Sequence, residues 1–167
     1  MSAPAALVRW VEPWSHFYSN SKVMATVVVF GHIAALVFAG GLAITLDRAT
    51  LRASRGAVEY RLRQLEELSA AHRLVITGLS LSFATGVLLL AADLETYFAS
   101  WIFWTKMTLI AILLANGFAM TRLEARIRIA PGTGDAIGWR RLRGTAMASL
   151  ILWFAIAFAG VALVNAS

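Results

Sequence analysis

Along most of this chain the apolar residues do not alternate with polar ones; they run on without interruption. Four such runs are each long enough to cross a bilayer as a helix, which takes about 20 residues. They cover residues 23–46, 74–92, 101–121 and 144–164. The first, second and fourth contain no Asp, Glu, Lys or Arg, and the third contains only Lys106. Strands with open edges cannot lie in hydrocarbon, because their backbone groups would stay unpaired. Barrel strands would be shorter and would alternate. The pattern therefore predicts an all-α fold, a four-helix transmembrane bundle spanning 23–167. Residues 1–22 read differently. Leu7, Val11, Trp14 and Tyr18 recur at helical spacing, widened by Trp10 and Phe17, while Arg9, Glu12, His16 and Asn20 take the other face. That is an amphipathic helix lying at the membrane interface, with Pro13 expected to kink it. It lacks the basic start, compact apolar core and cleavage site of a secretory signal. Residues 50–72 read as a cytoplasmic helical linker running into the second span and carrying the i,i+4 pairs Glu59/Arg63 and Arg63/Glu67, each worth about 0.2–0.5 kcal/mol. "APGTGDAIG", Ala130–Gly138, reads as a flexible turn.

Composition agrees. The chain is 59% hydrophobic and 14% charged, where soluble domains carry about 25% charged residues. There is no cysteine, which excludes disulfides, thiolate metal sites, iron–sulfur clusters and c-type haem attachment. The net charge of +6 reads as topology rather than as nucleic-acid binding, because the basic residues cluster between the apolar runs. Arg48, Arg52, Arg55, Arg61, Arg63 and Arg73 lie between the first two spans. Arg122, Arg126, Arg128, Arg140, Arg141 and Arg143 lie between the last two. The positive-inside rule makes that side cytoplasmic and places both termini on the periplasmic, or external, side. Asp93 and Glu95 fall in the short connection on the opposite side, which should hold the second and third spans together as antiparallel neighbours. The arginines could also meet anionic headgroups.

Few polar residues enter the spans. Gly78, Ser82 and Gly86 form a small-residue stripe suited to close helix contact, or to self-association. Gly40 and Gly41 would admit a neighbouring helix or a bulky ligand ring. Asn116 is placed for an interhelical hydrogen bond, worth about 0.6 kcal/mol on average. Lys106 lies about 7 Å along its helix from Trp101. It can snorkel to the interface and pair with Asp93 or Glu95, or it can line a site for an anionic group such as a propionate or a quinone oxygen. His32 lies about 14 Å inside its span, where an ionisable side chain is a functional candidate. It can be a neutral imidazole bonded to another helix, a haem or metal ligand, or a proton relay. His72 is expected at a helix end about 20 Å away along the membrane normal, and His16 at the interface, so one chain does not easily offer two histidines at one depth for a bis-histidine haem b; a five-coordinate haem, a methionine or lysine second ligand, or a second subunit would be needed. Met24, two turns before His32, and Met107 could complete a Cu(I) set with it, thioether sulfur being soft.

The segments "LVRWVEPWSHFYSNSKV", "GHIAALVFAGGLAITLDR", "HRLVITGLSLSFATGVLLLAADLETYFAS" and "FWTKMTLIAILLANGFAM", with a last span after "WRRLRG", resemble a group of small four-span bacterial inner-membrane proteins. More distantly the chain resembles the CopD-like superfamily, which includes copper-resistance protein D domains and HemJ-type protoporphyrinogen oxidases. The shared elements are His32 followed by Gly40 and Gly41, Arg73 opening the second span with Thr85-Gly86 inside it, and Lys106 in the third. The resemblance implies copper handling in one branch and a haem-linked oxidation in the other, with the first-span histidine as ligand. The chain lacks the additional spans of the copper branch and a second membrane histidine. Three functions follow: a non-enzymatic accessory subunit or small-ligand binder around His32, in a larger membrane assembly or a homo-oligomer; a b-type haem or quinone redox protein; and a copper transport or tolerance protein. No nucleophile–base pair, phosphate loop or carboxylate dyad lies in the spans, so no catalytic residue is assigned.

Overall fold

The computed structural model describes residues 4–129 and 136–166, and among these the regular structure is helical throughout. The order is α1 (Ala5–Asn20), α2 (Lys22–Ala53), α3 (Val58–Ala92), α4 (Leu94–Ala99), α5 (Trp101–Ile129) and α6 (Ala136–Ala166). The four long helices, α2, α3, α5 and α6, are long and apolar enough to cross a membrane. At 1.5 Å per residue the 32 residues of α2 extend about 48 Å, well beyond the roughly 30 Å of a hydrocarbon core. The helices therefore continue past their apolar runs on the arginine-bearing side. Residues 50–72 are helical and run on into the second span, as the pattern predicts, with a break at one turn. They are the end of α2, a tight turn at 54–57 and the start of α3. Of the two ion pairs expected there, Arg63 pairs with Glu67 at 3.4 Å on an exposed face. Ala136–Gly138 belong to α6, while Ala130–Asp135 lie outside the described residues.

Burial is distributed as lipid demands and water would not. Phe30, Phe83 and Phe158 are each more than 70% exposed, whereas Asp47, Gln64 and Glu124 are 5% exposed or less. The outer surface is apolar because it faces hydrocarbon, and the polar groups turn inward, where they can meet each other.

The closest packing joins α2 to α3 and α5 to α6, with α2 against α6 linking the two pairs. This corrects the expectation that α3 and α5 would be tight neighbours because their connection is short. The connection contains α4, and α3 and α5 meet instead through long side chains on the arginine-bearing half. His72 reaches Glu124, and the Arg128 guanidinium donates to the Leu65 carbonyl. One apolar cluster, in the middle, holds Ala39, Leu113, Trp153 and Ile156. The second, on the arginine-bearing side, holds Ala53, Leu65, Leu68, Met120, Ile127, Trp139, Leu142 and Ala146. Arg61 lies over the Trp139 ring at 5.5 Å, closing the end of that cluster with a cation–π contact.

At the other end α1 lies against α3. The Trp14 Nε1–H donates to the Leu88 carbonyl at 2.9 Å, and the Ser15 hydroxyl donates to the Ala92 carbonyl at 2.7 Å. The Ala92 carbonyl ends α3 and has no helical partner, so Ser15 supplies one. Helix α1 runs through Pro13 and buries none of its residues, and Trp10 is 83% exposed.

Small residues set the helix spacing. A Cβ on Gly78 would stand 2.9 Å from the Ala39 Cβ and 3.1 Å from the Phe38 ring; one on Gly40 would stand 3.0 Å from the Trp153 indole. The ring expected beside Gly40 is thus the chain's own Trp153. Gly41 meets nothing within 4 Å. Gly78→Leu should lower unfolding stability in detergent by about 1–3 kcal/mol through overpacking. Gly41→Ala should change it by no more than about 1 kcal/mol, in the stabilising direction, because alanine is the better helix former. Equal effects of the two would show that α2 and α3 do not pack here.

Candidate functional site

The interior face of each helix is a stripe with helical spacing. On α2 the buried residues Val28, Ala35, Ala39, Asp47, Thr50 and Ala53 fall at intervals of three, four, seven or eight, and half-buried His32 fits the same phase. On α5 the stripe is Phe103, Leu113, Met120, Glu124 and Ile127, with Lys106 and Asn116 half-buried alongside it. His32 and Lys106 are therefore interior residues of their helices.

His32 is anchored from one side. Its Nδ1 lies 3.0 Å from the Ser82 carbonyl and 3.2 Å from the Thr85 hydroxyl, both on α3. The Thr85 hydroxyl itself donates to the Leu81 and Ser82 carbonyls, at 2.8 and 3.1 Å. A carbonyl can only accept, so Nδ1 carries the proton and donates to it. The ring is then held as the tautomer whose Nε2 lone pair is free to accept a hydrogen bond or a ligand. Gly86 makes this pose possible. A Cβ there would stand 3.2 Å from the His32 Cε1. Gly78, Ser82 and Gly86 thus make the close helix contact expected of that stripe, inside the chain and against α2.

Lys106 does not snorkel to Asp93 or Glu95. Among the described residues it makes no ion pair, and Asp93 instead caps α4 by accepting from the Thr96 N–H at 3.3 Å. The Lys106 Nζ turns inward and lies 3.6 Å from the point where a Cβ on Gly160 of α6 would stand. It is close enough to His32 to act on it electrostatically. The space at Gly86 is tight against the imidazole, whereas a Cβ at Gly160 would be in ordinary contact with the ammonium. On the rim above, burial, then the Asp93 carboxylate and Tyr18, push the Tyr97 phenol above its ordinary range, so it stays a protonated hydroxyl.

Asn116 makes the expected interhelical bond, donating to the Thr145 carbonyl of α6 at 3.0 Å. Met24 and Met107 are both half-buried, and the hydrogen-bonding partners of His32 all lie on α3. Among the described residues no group of three His, Asp or Glu could hold a metal. His72 is not at a helix end. It lies within α3, its Nδ1 3.1 Å from the Leu68 carbonyl and 3.9 Å from the Glu124 carboxylate. It precedes Ser82 by ten residues, about 15 Å along α3, so it and His32 do not share one depth.

Sequence reasoning missed a second set of interior polar groups, toward the arginine-bearing side. Asp47 and Glu124 are 3% and 5% exposed, and Asp47 Oδ2 and Glu124 Oε1 have no hydrogen-bond partner. Ser149 faces Asp47 from α6, and the Gln64 amide donates to the Thr50 hydroxyl at 3.2 Å. Both carboxylates stand just beyond an apolar run and next to arginines, and so look like solvated helix ends. Their helical phase gives the opposite answer. Asp47 follows Ala39 by eight residues and precedes Thr50 by three; Glu124 follows Met120 by four and precedes Ile127 by three. Those neighbours are all buried.

No family model, curated protein or solved structure matches this chain.

The tautomer can be checked directly. The 15N spectrum of His32 in detergent should show a protonated Nδ1 and an unprotonated Nε2, and Gly86→Val should disturb it by displacing the ring. A protonated Nε2 in the wild type would contradict the anchoring by Ser82. Separately, Asn116→Leu should cost about 0.6 kcal/mol and at most about 1.7 kcal/mol in unfolding stability; a larger loss would mean that Asn116 has partners besides Thr145.

Proposed function

We propose that this chain is a multi-pass protein of the bacterial inner membrane that binds a small apolar molecule carrying an acidic oxygen at His32 and Lys106. It acts as a non-enzymatic binder or accessory subunit, with its arginine-bearing helix ends in the cytoplasm and both termini periplasmic. The observation that carries the reading is the one-sided anchoring of His32 beside an inward-turned lysine. With Nδ1 engaged by α3, Nε2 can accept an O–H, and the Lys106 ammonium can donate to the same ligand's second oxygen. A carboxyl group offers that combination, and so does a hydroquinone hydroxyl with a methoxy oxygen ortho to it.

The resemblance to copper-handling and haem-linked proteins fits these residues less well. A metal ion bound to His32 would meet the Lys106 ammonium, which acts on that imidazole electrostatically, and like charges in a low-dielectric interior repel. The second histidine needed for bis-histidine haem lies about 15 Å along α3 from the level of Ser82. An apolar oxygen-bearing ligand needs neither a soft donor set nor a second imidazole.

The test is a titration of the full-length protein in detergent with decanoic acid, methyl decanoate and decylubiquinol, read from the His32 15N resonances. The acid or the hydroquinone should shift Nε2 and the ester should not, and Lys106→Met should weaken binding at least about tenfold, the effect of losing a charge-assisted hydrogen bond worth about 1.5–3 kcal/mol. No response to either probe would overturn the proposal. A Soret band that appears on haem addition and vanishes in His32→Ala would replace it with haem binding.

A further inference from the structure

Where α2 and α6 emerge on the arginine-bearing side, a groove of about 530 Å³ opens between them, lined by Leu51, Arg52, Arg55, Arg143 and Met147. We propose that this groove is a binding site for an anionic phospholipid, with the phosphate held by the three arginines and an acyl chain laid along Met147.

Three observations point to that occupant. The first is charge. The lining holds three guanidinium groups and no carboxylate. Among the described residues none of the three is in an ion pair; the pairs present are Arg63–Glu67 and His72–Glu124. Three unpaired cations around one opening repel each other, and an anion removes that repulsion. Guanidinium also matches phosphate geometry, giving paired N–H donors to two oxygens.

The second is level. The apolar run of α2 ends at Leu46, and Leu51 and Arg52 follow one to two turns later. On α6, Arg143 stands immediately before the apolar run that opens at Gly144, and Met147 lies one turn inside it. The guanidiniums thus sit at headgroup height, with the apolar part of the groove pointing toward the hydrocarbon. A basic rim directly above an apolar wall fits a lipid, whose charge and chains are arranged in that order. A soluble phosphate would gain nothing from Leu51 and Met147.

The third is construction. The rim is assembled from segments distant in sequence: the end of α2 with the turn that follows it, which carries Arg55, and α6, which packs against α2. Arg52 and Arg55 follow the buried Thr50 and flank the buried Ala53; Arg143 follows the buried Leu142. The backbone beneath the arginines is therefore fixed by the apolar cluster that holds Ala53 and Leu142, and the three charges are held at one opening. The site needs only that α2 and α6 lie in a bilayer. It does not depend on the ligand of His32, on which leaflet the arginines face, or on any partner protein.

The experiment is native mass spectrometry of the full-length protein in detergent, titrated with phosphatidylglycerol, phosphatidylcholine and soluble glycerol phosphate. Each basic residue near an anionic headgroup contributes a factor of about five in affinity. The wild type should prefer phosphatidylglycerol over phosphatidylcholine by at least about tenfold. Arg143→Gln should reduce that preference by about fivefold, and the triple variant R52Q/R55Q/R143Q should abolish it. R63Q/R122Q/R140Q, which removes the same total charge elsewhere, should keep it. Circular dichroism would verify that each variant is folded, and the single substitution gives the answer if the triple one is not. The proposal is overturned if the control variant loses the preference as fully as the groove variant, since the effect is then general surface charge. It is equally overturned if R143Q changes nothing, or if glycerol phosphate binds as well as the lipid, which would make this a site for a soluble anion.

Discussion

The close approach of α2 and α3 is the contact on which the rest of the arrangement depends. In hydrocarbon no hydrophobic force drives one apolar helix against another, because lipid tails are as apolar as leucine. What remains is contact between surfaces small enough to let backbones come near, and Gly78 against Ala39 supplies it. That contact fixes the register of the two helices. With Gly78 opposite Ala39, Gly86 falls opposite His32, and the Ser82 carbonyl and Thr85 hydroxyl come within reach of the imidazole. A slip by one residue would turn Gly86 away and place a side chain where the ring now lies. The same register brings Gln64 to Thr50 near the turn that joins the two helices. One glycine contact in the membrane therefore positions both a titratable side chain above it and a polar bond below it.

Around this pair the interior is graded from one end to the other. His32 and Lys106 stand in the half near α1 and α4, and Asp47 and Glu124 in the half bearing the arginines. Between them lies the apolar cluster of Ala39, Leu113, Trp153 and Ile156. The ionisable groups face inward because the alternative is lipid, where a charge is expensive. They are separated by side chains that carry no polar atom, Trp153 excepted. The two halves are therefore distinct polar environments on one scaffold, one next to a histidine held as a single tautomer and one with unpartnered carboxylate oxygens.

The sequence made the four long helices and their apolar exteriors legible, because in lipid the hydropathy run is the fold's strongest constraint. Asn116 was legible for the same reason: an amide in an apolar run has to find a partner. The helix neighbours were not. The α3–α5 connection is short, yet α4 and the long reach of His72 and Arg128 keep those backbones apart. Lys106 could be read in two ways from its depth alone, and only the position of its ammonium beside Gly160 and the use of Asp93 as a cap distinguish them. Asp47 and Glu124 were hidden by their neighbours. An acid beside an arginine at the end of an apolar run looks solvated until the helical phase is extended past the run. The helices continue straight on, so the interior stripe continues with them. The groove at Arg143 was out of reach for another reason: its residues are some ninety positions apart and meet only through the packing of α2 on α6.

The account rests on α2, α3, α5 and α6 crossing a bilayer, with the 54–57 turn and α4 on opposite sides. The chain contains no cysteine, so single introduced thiols report without background. In intact bacterial cells, a membrane-impermeant maleimide should label Glu95→Cys and should label Gly56→Cys only after permeabilisation. Labelling of both positions from outside, or recovery of the protein from the soluble fraction without detergent, would contradict the account.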